Sequence, residues 1–374
     1  MRKHPYQDLP THCFWRNAVA GPALANVDPV VAPKFTISRT DRVATAGSCF
    51  AQHIARHLSR SGFNYFVTEK AHPRVPSKVA DEFGYGLFTA RYGNIYTSRQ
   101  LLQTLRRAYG LFTPIDDVWV SDDGRGIDPF RPQIQPRGFA SEAEYWADRD
   151  QHFAAIRRAV EQLDVFVFTL GLTEVWISRE DGAAYPLCPG VAGGIFDEQR
   201  HIFVNLKVAD VVADMNAALG FVRSKNPRAR FILTVSPVPL IATATGESVL
   251  AATTYSKSVL RVACEEVAAD YDDVAYFPSY EVITGNYNRG RYFAPDLRSV
   301  TEEGVAHVMR LFMQHYAGAS GGRGPVTRPP QGEQPKRPVE AIVGGGQDDQ
   351  AQSRAIHEVV AVMCDEEILD RSRP

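Results

Sequence analysis

Short apolar runs alternate with amphipathic stretches along most of this chain. Residues 42–46 lead through β-favouring positions into Gly47, and Phe50, Ile54 and Leu58 follow at helical spacing. Residues 164–171 are almost wholly apolar and end in Gly, the pattern of a strand covered on both faces. Residues 230–236 repeat that pattern and stop at Pro237 and Pro239, and residues 274–277 form a further short run. Between these strands the spacing predicts helices over 98–109, 141–163, 208–225, 251–270 and 301–315. Ser98 is a candidate cap for the first of them, and Ser141 with Glu144 fits a capping box for the second. Strands alternating with helices predict an α/β domain with a doubly wound, mostly parallel sheet and its sites at the strands' carboxyl ends. Residues 64–94 and 116–137 are loop-rich, and 176–200 is read as a small hairpin or lid.

The two ends depart from this pattern. Residues 1–40, rich in Pro and aromatics, are predicted to form an irregular arm packed on a domain spanning 41–316. Residues 317–354 are crowded with Gly, Pro, Arg and Gln, cannot bury enough apolar surface, and are predicted to be a disordered linker. Residues 355–374 are predicted to be a short helical tail, available to dock back or to bind a protein partner.

Composition narrows the function classes. Hydrophobic residues at 44% suffice for a large core, and a net charge of −2 gives no electrostatic case for nucleic acid or an anionic membrane surface. Five scattered cysteines form no CxxC pair, so neither a thiolate zinc site nor a disulfide framework is expected. No metal-ligand spacing, P-loop or dinucleotide fingerprint occurs, and no metal or cofactor is expected. The N-terminus lacks the apolar core of a secretory signal and no run is long enough to span a membrane, so a soluble, cytoplasmic protein is expected.

Candidate chemistry centres on Ser48 and Cys49, which fall at a strand-to-helix turn. A nucleophile there sits at the carboxyl edge of the sheet and at a helix N-terminus, whose free N–H groups favour negative charge. Ser48 attacks if a base takes its proton, and Cys49 attacks if its thiol ionises. The plainer alternative makes Gly47 a turn residue, Ser48 a helix cap and Cys49 a core residue.

Several segments in chain order carry a resemblance. These are Gly47-Ser48-Cys49-Phe50-Ala51, Gly93-Asn94-Ile95-Tyr96 and Thr169-Leu170-Gly171-Leu172-Thr173-Glu174-Val175-Trp176. Thr234-Val235-Ser236-Pro237-Val238-Pro239, Tyr276-Phe277-Pro278-Ser279-Tyr280-Glu281 and Asp296-Leu297-Arg298-Ser299 follow. Together, over roughly residues 35–315, they resemble the GSCFA family, which is grouped with the SGNH/GDSL hydrolases. The resemblance implies a flavodoxin-like three-layer α/β/α fold. It also implies a serine that attacks an ester carbonyl, a Gly and an Asn that help form the oxyanion hole, and an Asp-x-x-His before the last helix.

Carried over residue by residue, Ser48 best matches the nucleophile. Aligning Gly47 with the Gly of Gly-Asp-Ser would instead place Cys49 there. Gly93 and Asn94 fall where an oxyanion donor belongs, with a plain turn as the alternative. Gly171, Thr173 and Glu174 stand where SGNH enzymes have Gly-x-Asn-Asp. Thr173 keeps a donor of shorter reach or only caps the strand, and Glu174 anchors a loop. Asp296 matches the acid of Asp-x-x-His, but position 299 is Ser, which is no base near neutral pH. His307 is the next candidate, about 12 Å along the last helix, followed by His53, His57, His72 and His201, with Glu174 as a further group that could swing into the cleft. The aromatic and basic residues Tyr92, Tyr96, Trp176, Tyr280, Arg291 and Tyr292 are read as lining the mouth.

The expected function is therefore an SGNH-like serine esterase or O-acyltransferase acting on a small-molecule or glycan ester, with a carbohydrate as the favoured acyl carrier. The rival readings are a catalytically silent module that binds a glycan or a protein partner, and a thiol enzyme built on Cys49.

Overall fold

A computed structural model describes residues 4–121, 123–317, 365 and 367–371. The first half contains β1 (Val43–Gly47), α1 (Ala51–Arg60), α2 (Ser77–Glu82), α3 (Ser98–Ala108), β2 (Trp119–Val120), β3 (Gly126–Ile127), α4 (Glu142–Gln162) and β4 (Val165–Leu170). A small-strand segment follows with β5 (Glu174–Ser178), β6 (Ala184–Tyr185) and β7 (His201–Asn205). The remainder holds α5 (Val208–Lys225), β8 (Arg230–Val235), α6 (Val249–Asp270), β9 (Val274–Tyr276), α7 (Ser279–Thr284) and α8 (Glu302–Tyr316).

The central sheet has the order β1-β4-β8-β9 with every pair parallel. Its strands are apolar on both faces, and the period of two sorts them into two cores. Ala44, Ala46, Phe166, Phe168, Leu170, Phe231 and Leu233 pack with α3, α4, α5 and α6. Val43, Val165, Val167 and Ile232 pack with Phe50, Ile54 and Leu58 around α1, and with α7 and α8. The result is the three-layer α/β/α arrangement.

The direction of winding changes at β1. The helix leaving it, α1, lies on one face, whereas α3 and α4, which lead to β4, lie on the other. In a flavodoxin-like order a full strand would flank β1 on its outer edge. Here short contacts from irregular segments take that place: Val43 N–H donates to the Asn64 carbonyl at 3.0 Å, Phe66 N–H donates to the Val43 carbonyl at 2.9 Å, and Thr45 N–H donates to Thr89 Oγ1 at 2.9 Å. A crevice outside the carboxyl end of β1 is where such a sheet binds ligands.

Outside the central sheet, β6-β5-β7 form an antiparallel sheet, so the segment read as a hairpin or lid begins earlier, at Glu174, and holds three strands. The N-terminal residues run along α8: Ile37 N–H donates to the Tyr316 carbonyl at 2.6 Å, and His315 Nε2 pairs with Asp28 at 2.7 Å. The predicted linker and most of the predicted helical tail lie outside the described residues, whose C-terminal part is Asp365 and a short helix over Glu367–Arg371. Among the described residues no helix is long and apolar enough to cross a membrane, and no three His, Cys, Asp or Glu side chains cluster as metal ligands.

Candidate active site

The carboxyl end of β1 is shaped by Gly47. Its φ of 136° lies where side chains are strained, and a Cβ there would collide with the Thr169 backbone. Ser48 N–H then donates to the Thr169 carbonyl at 3.0 Å, and the chain turns into α1 through Ala51 N–H on the Ser48 carbonyl at 2.9 Å. Ser48 is 2% exposed, and its Oγ is buried with no hydrogen-bond partner among the described residues. Most buried hydroxyls are paired, so an orphan at this turn calls for an explanation. Among the described residues, the N–H groups of Cys49 and Phe50 at the start of α1 also have no acceptor.

Two loops close on Ser48. Gly171 is pressed against it: a Cβ at 171 would lie 2.9 Å from the Ser48 Cβ and 3.1 Å from the Tyr96 ring. Gly171 N–H donates to the Tyr96 carbonyl at 2.8 Å, which ties this loop to the second one. In that second loop Gly93 supplies a φ of 67°, and Ile95 N–H donates to the Gly47 carbonyl at 2.9 Å. Asn94, buried between, has its Oδ1 facing Gln52 Nε2 at 3.4 Å, which turns its Nδ2 donor into the cleft. That donor meets the carboxylate of Asp365 at 3.1 Å.

A buried charge network holds the Asn94 loop in place. Arg91 N–H donates to Glu69 Oε2 at 2.8 Å, and the Arg91 guanidinium reaches Asp148 at 2.7 Å and the carbonyls of Phe83 and Ile134. Arg131 bridges Asp128 at 2.7 Å and Asp148 at 2.8 Å, and His152 Nδ1 meets Glu69 Oε2 at 2.7 Å. Burial alone would raise the Glu69 pKa, but His152, Arg131 and the Arg91 N–H outweigh it and hold the carboxyl at about 2. Burial, followed by Arg131, lowers the pKa of His152, against the pull of Glu69 in the other direction.

The loop after β4 is held from behind, by residues on α6 that no motif marked. Lys257, 2% exposed, donates from Nζ to the Gly171 carbonyl at 2.5 Å, and Ser256 Oγ accepts the Thr173 N–H at 2.9 Å. Both lie on the apolar stripe that includes Ala252, Val259 and Leu260, and a Ser-Lys pair there is the signal that could have found them. The Thr173 hydroxyl donates to Asn205 Oδ1 at 2.6 Å. Glu174 accepts from Thr243 Oγ1 at 2.6 Å and from Ala244 N–H at 3.1 Å, the arrangement of a loop anchor.

Other candidates are engaged elsewhere. Asp296 is exposed and turned onto its own loop, accepting the Ser299 hydroxyl at 2.5 Å and the N–H groups of Arg298 and Ser299. Against the cost of partial burial, these bonds hold its carboxyl below the usual range. His307 has both ring nitrogens engaged, Nδ1 with Tyr292 Oη at 2.6 Å and Nε2 with the Val27 carbonyl at 2.9 Å. It fastens the N-terminal residues to α8, and burial lowers its pKa. His201 Nδ1 accepts the Asp197 N–H, and His72 Nδ1 accepts the Arg74 N–H. His53 packs on Phe50 with ring centroids 5.4 Å apart, and burial, helped by Arg56, lowers its pKa to about 4. Cys49 is a buried free thiol.

The aromatic mouth drawn from the sequence does not form as a unit. Tyr92 belongs to the core, Tyr292 is buried against His307, and Arg291 is an exposed partner of Glu303. Phenol rings in this fold fill volume between layers, which spacing alone does not separate from a rim. A larger cavity of about 460 Å³, lined by Arg107, Arg149 and Arg157, opens at the far end of α3. Because α3 starts beside Tyr96 and runs back along the sheet, this cavity does not adjoin Ser48.

These features define a doubly wound α/β protein with a buried serine at the end of its first strand and a cleft lined by Gln52, Gly93 and Asn94, of which Gln52 lies one turn of α1 beyond that serine. Residues 42–312 match the GSCFA family, and the chain belongs to it. No curated protein matches the chain. Among solved structures, it is similar to a carbohydrate esterase family 2 enzyme with a carbohydrate binding domain from Corynascus thermopiles (Myceliophthora fergusii). The identity is 15%, the TM-score 0.24, and the alignment covers 67% of this chain and 58% of that one. This chain thus spans under two thirds of that protein, and a likeness at that TM-score carries no argument about the site.

Proposed function

We propose that this protein is a serine-dependent ester hydrolase or O-acyltransferase, and that its acyl carrier is a polar, hydroxyl-bearing molecule such as a carbohydrate. The observation that carries the reading is the Ser48 hydroxyl, buried without a partner at the strand-to-helix turn of a family grouped with serine hydrolases. In this reading Ser48 Oγ bonds to the acyl carbon and the carrier's oxygen leaves, taking up the hydroxyl's proton. Water or an acceptor hydroxyl then removes the acyl group from Ser48. Negative charge on the acyl oxygen meets the unpaired Cys49 N–H and the Asn94 amide. The neighbouring cleft is lined by Leu87, Phe88, Phe130 and Ile134 together with Gln52, Asn94, Arg131 and Gln133, and in this reading those four polar side chains bind the carrier's hydroxyls.

One observation favours a second reading, a module that binds an ester or glycan without turning it over. Among the described residues no imidazole or carboxylate is hydrogen-bonded to Ser48 Oγ, and Asp296 is closed onto Ser299. Hydrolysis of p-nitrophenyl acetate by wild type, Ser48→Ala and Cys49→Ala, at matched circular dichroism, separates these readings. The serine enzyme loses about 10³-fold or more with Ser48→Ala and stays within about twofold with Cys49→Ala. Loss with Cys49→Ala alone moves the nucleophile to the thiol.

A further inference from the structure

The cavity at the far end of α3 has walls that carry positive charge. It holds about 460 Å³, and around it stand Arg107 from α3, Phe112 and Asp117 from the chain that follows, and Arg149, Phe153 and Arg157 from α4. That volume falls within the range of about 300–1,000 Å³ found for small-molecule sites. The three α4 residues are spaced by four and so share one face of the helix. Few groups of the chain use the three arginines, although each guanidinium has several N–H donors. Arg107, 6% exposed, donates from Nη2 to Asp117 Oδ1 at 3.3 Å, and Arg149 pairs with the same carboxylate. Arg157 donates from Nη1 to the Ala108 carbonyl and has no carboxylate partner among the described residues. The Nε atoms of Arg107 and Arg149 have no hydrogen-bond partner among the described residues. Arg91 and Arg131 differ: the first is engaged with Asp148 and two carbonyls, the second with Asp128, Asp148 and the Arg91 carbonyl.

Stacking holds two of these charges in place. The Arg107 guanidinium lies 3.7 Å from the Phe130 ring centre and 5.3 Å from that of Phe153, and Arg149 lies 4.0 Å from Trp146 and 5.4 Å from Phe153. Rings cover the faces of a guanidinium, whereas its donors point outward in its plane. Burial pulls the Arg107 pKa below its usual value, against Asp128 and Asp117, and an anion in the cavity offsets part of that cost. We propose that this cavity binds a small phosphate monoester whose body carries a flat ring. Three arginines against one aspartate leave two positive charges in excess. A phosphate monoester, at about −2 near neutral pH, matches that excess better than a carboxylate does. The forked donors of arginine also suit phosphate oxygens. Phe112 and Phe153 line space beyond what a phosphate group needs, and they give the ring apolar faces to pack on. The site involves no residue of the Ser48 turn and stands without the ester reading.

The test is calorimetric titration of the full chain with phenyl phosphate, inorganic phosphate and benzoate. The site predicts one phenyl phosphate per chain, with a Kd of about 1 mM or tighter. Inorganic phosphate lacks the ring and benzoate lacks the second charge, so each should bind about tenfold more weakly or worse. Arg157→Gln and Arg149→Gln, at matched circular dichroism, should each weaken phenyl phosphate by about tenfold or more, because each removes a charged donor. If Arg149→Gln fails to fold, Arg157→Gln decides, since Arg157 is half-buried and gives up only its bond to Ala108. Ser48→Ala should bind phenyl phosphate as wild type does. Absence of phenyl phosphate binding by wild type up to about 10 mM overturns the site. Benzoate binding as tightly as phenyl phosphate overturns the phosphate class, and inorganic phosphate doing so overturns the ring. Unchanged affinity in Arg157→Gln, or loss of binding in Ser48→Ala, puts the anion elsewhere and overturns the assignment.

Discussion

Two buried polar regions flank the loop that carries Asn94, and they are built in opposite ways. Behind the loop, Glu69, Arg91, Arg131, Asp148 and His152 form a network in which each charge meets an opposite charge or a hydrogen-bonding dipole. In front of it, the Ser48 hydroxyl is equally buried and has no hydrogen-bond partner among the described residues. Both cost free energy to bury, and the network recovers much of that cost through its charge pairs, although Glu69 Oε1 itself has no hydrogen bond among the described residues and meets Arg91 only at 3.7 Å. The difference separates scaffold from site. The network fixes where the Asn94 loop stands, and the Ser48 hydroxyl is left for a group that the described residues do not supply.

The comparison breaks most visibly at Arg91. Arg91→Met leaves Glu69 and Asp148 short of a cation at a buried position, and should destabilise the protein by about 3–5 kcal/mol. Urea unfolding of wild type and variant measures this, and a change below about 1 kcal/mol would show the network to be dispensable. Acid sharpens the same point. The Glu69 pKa is depressed from 4.5 to about 2, so its stabilisation is complete above about pH 4.5 and is lost as pH falls toward 2. The His152 pKa is also lowered, so the unfolded chain takes that proton first and stability falls below about pH 6.5 as well. Thermal unfolding between pH 7 and 3 should therefore slope downward toward acid, and Glu69→Gln should flatten the slope below pH 4.5.

On the other side of the loop the expected effects are smaller. Gly171→Ala forces a methyl against the Ser48 Cβ and the Tyr96 ring, and should cost about 1–3 kcal/mol while moving the serine. Its signature is a fall in ester turnover larger than the fall in stability would explain. Ser48→Ala should be the mildest of all in stability: removing an unsatisfied buried hydroxyl is neutral or stabilising by up to about 1 kcal/mol. A clear loss of stability in Ser48→Ala would mean that the hydroxyl has a structural partner after all.

The central strands and their helices were legible because strands covered on both faces read as continuous apolar runs. Residues 208–225 were drawn with the same limits that α5 shows, and the strands at 165, 230 and 274 fall within a residue or two of their predicted ends. Caps were harder: Thr97 rather than Ser98 caps α3, accepting the Gln100 N–H while the Gln100 side chain reaches back. The two-residue strands β2 and β3 carry too few positions for any period to register. At the site, Ser48 and the Gly93-Asn94 and Gly171 segments were marked by motif, and the structure brings them together. Lys257, Ser256 and Asp365 were not, because each meets the site across more than eighty residues of chain and local pattern holds no trace of such contacts. Conversely, Asp296 and His307 stood at plausible sequence positions, but one closes its own loop and the other tethers residue 27.

The most direct test of the account is chemical labelling of the intact protein with a fluorophosphonate, in which an activated serine oxygen bonds to phosphorus and fluoride leaves. The account predicts one adduct per chain, mapped by peptide mass to Ser48, with ester hydrolysis lost in proportion to labelling. An adduct on Cys49 or on another residue, or an unlabelled Ser48 beside undiminished ester hydrolysis, would contradict it.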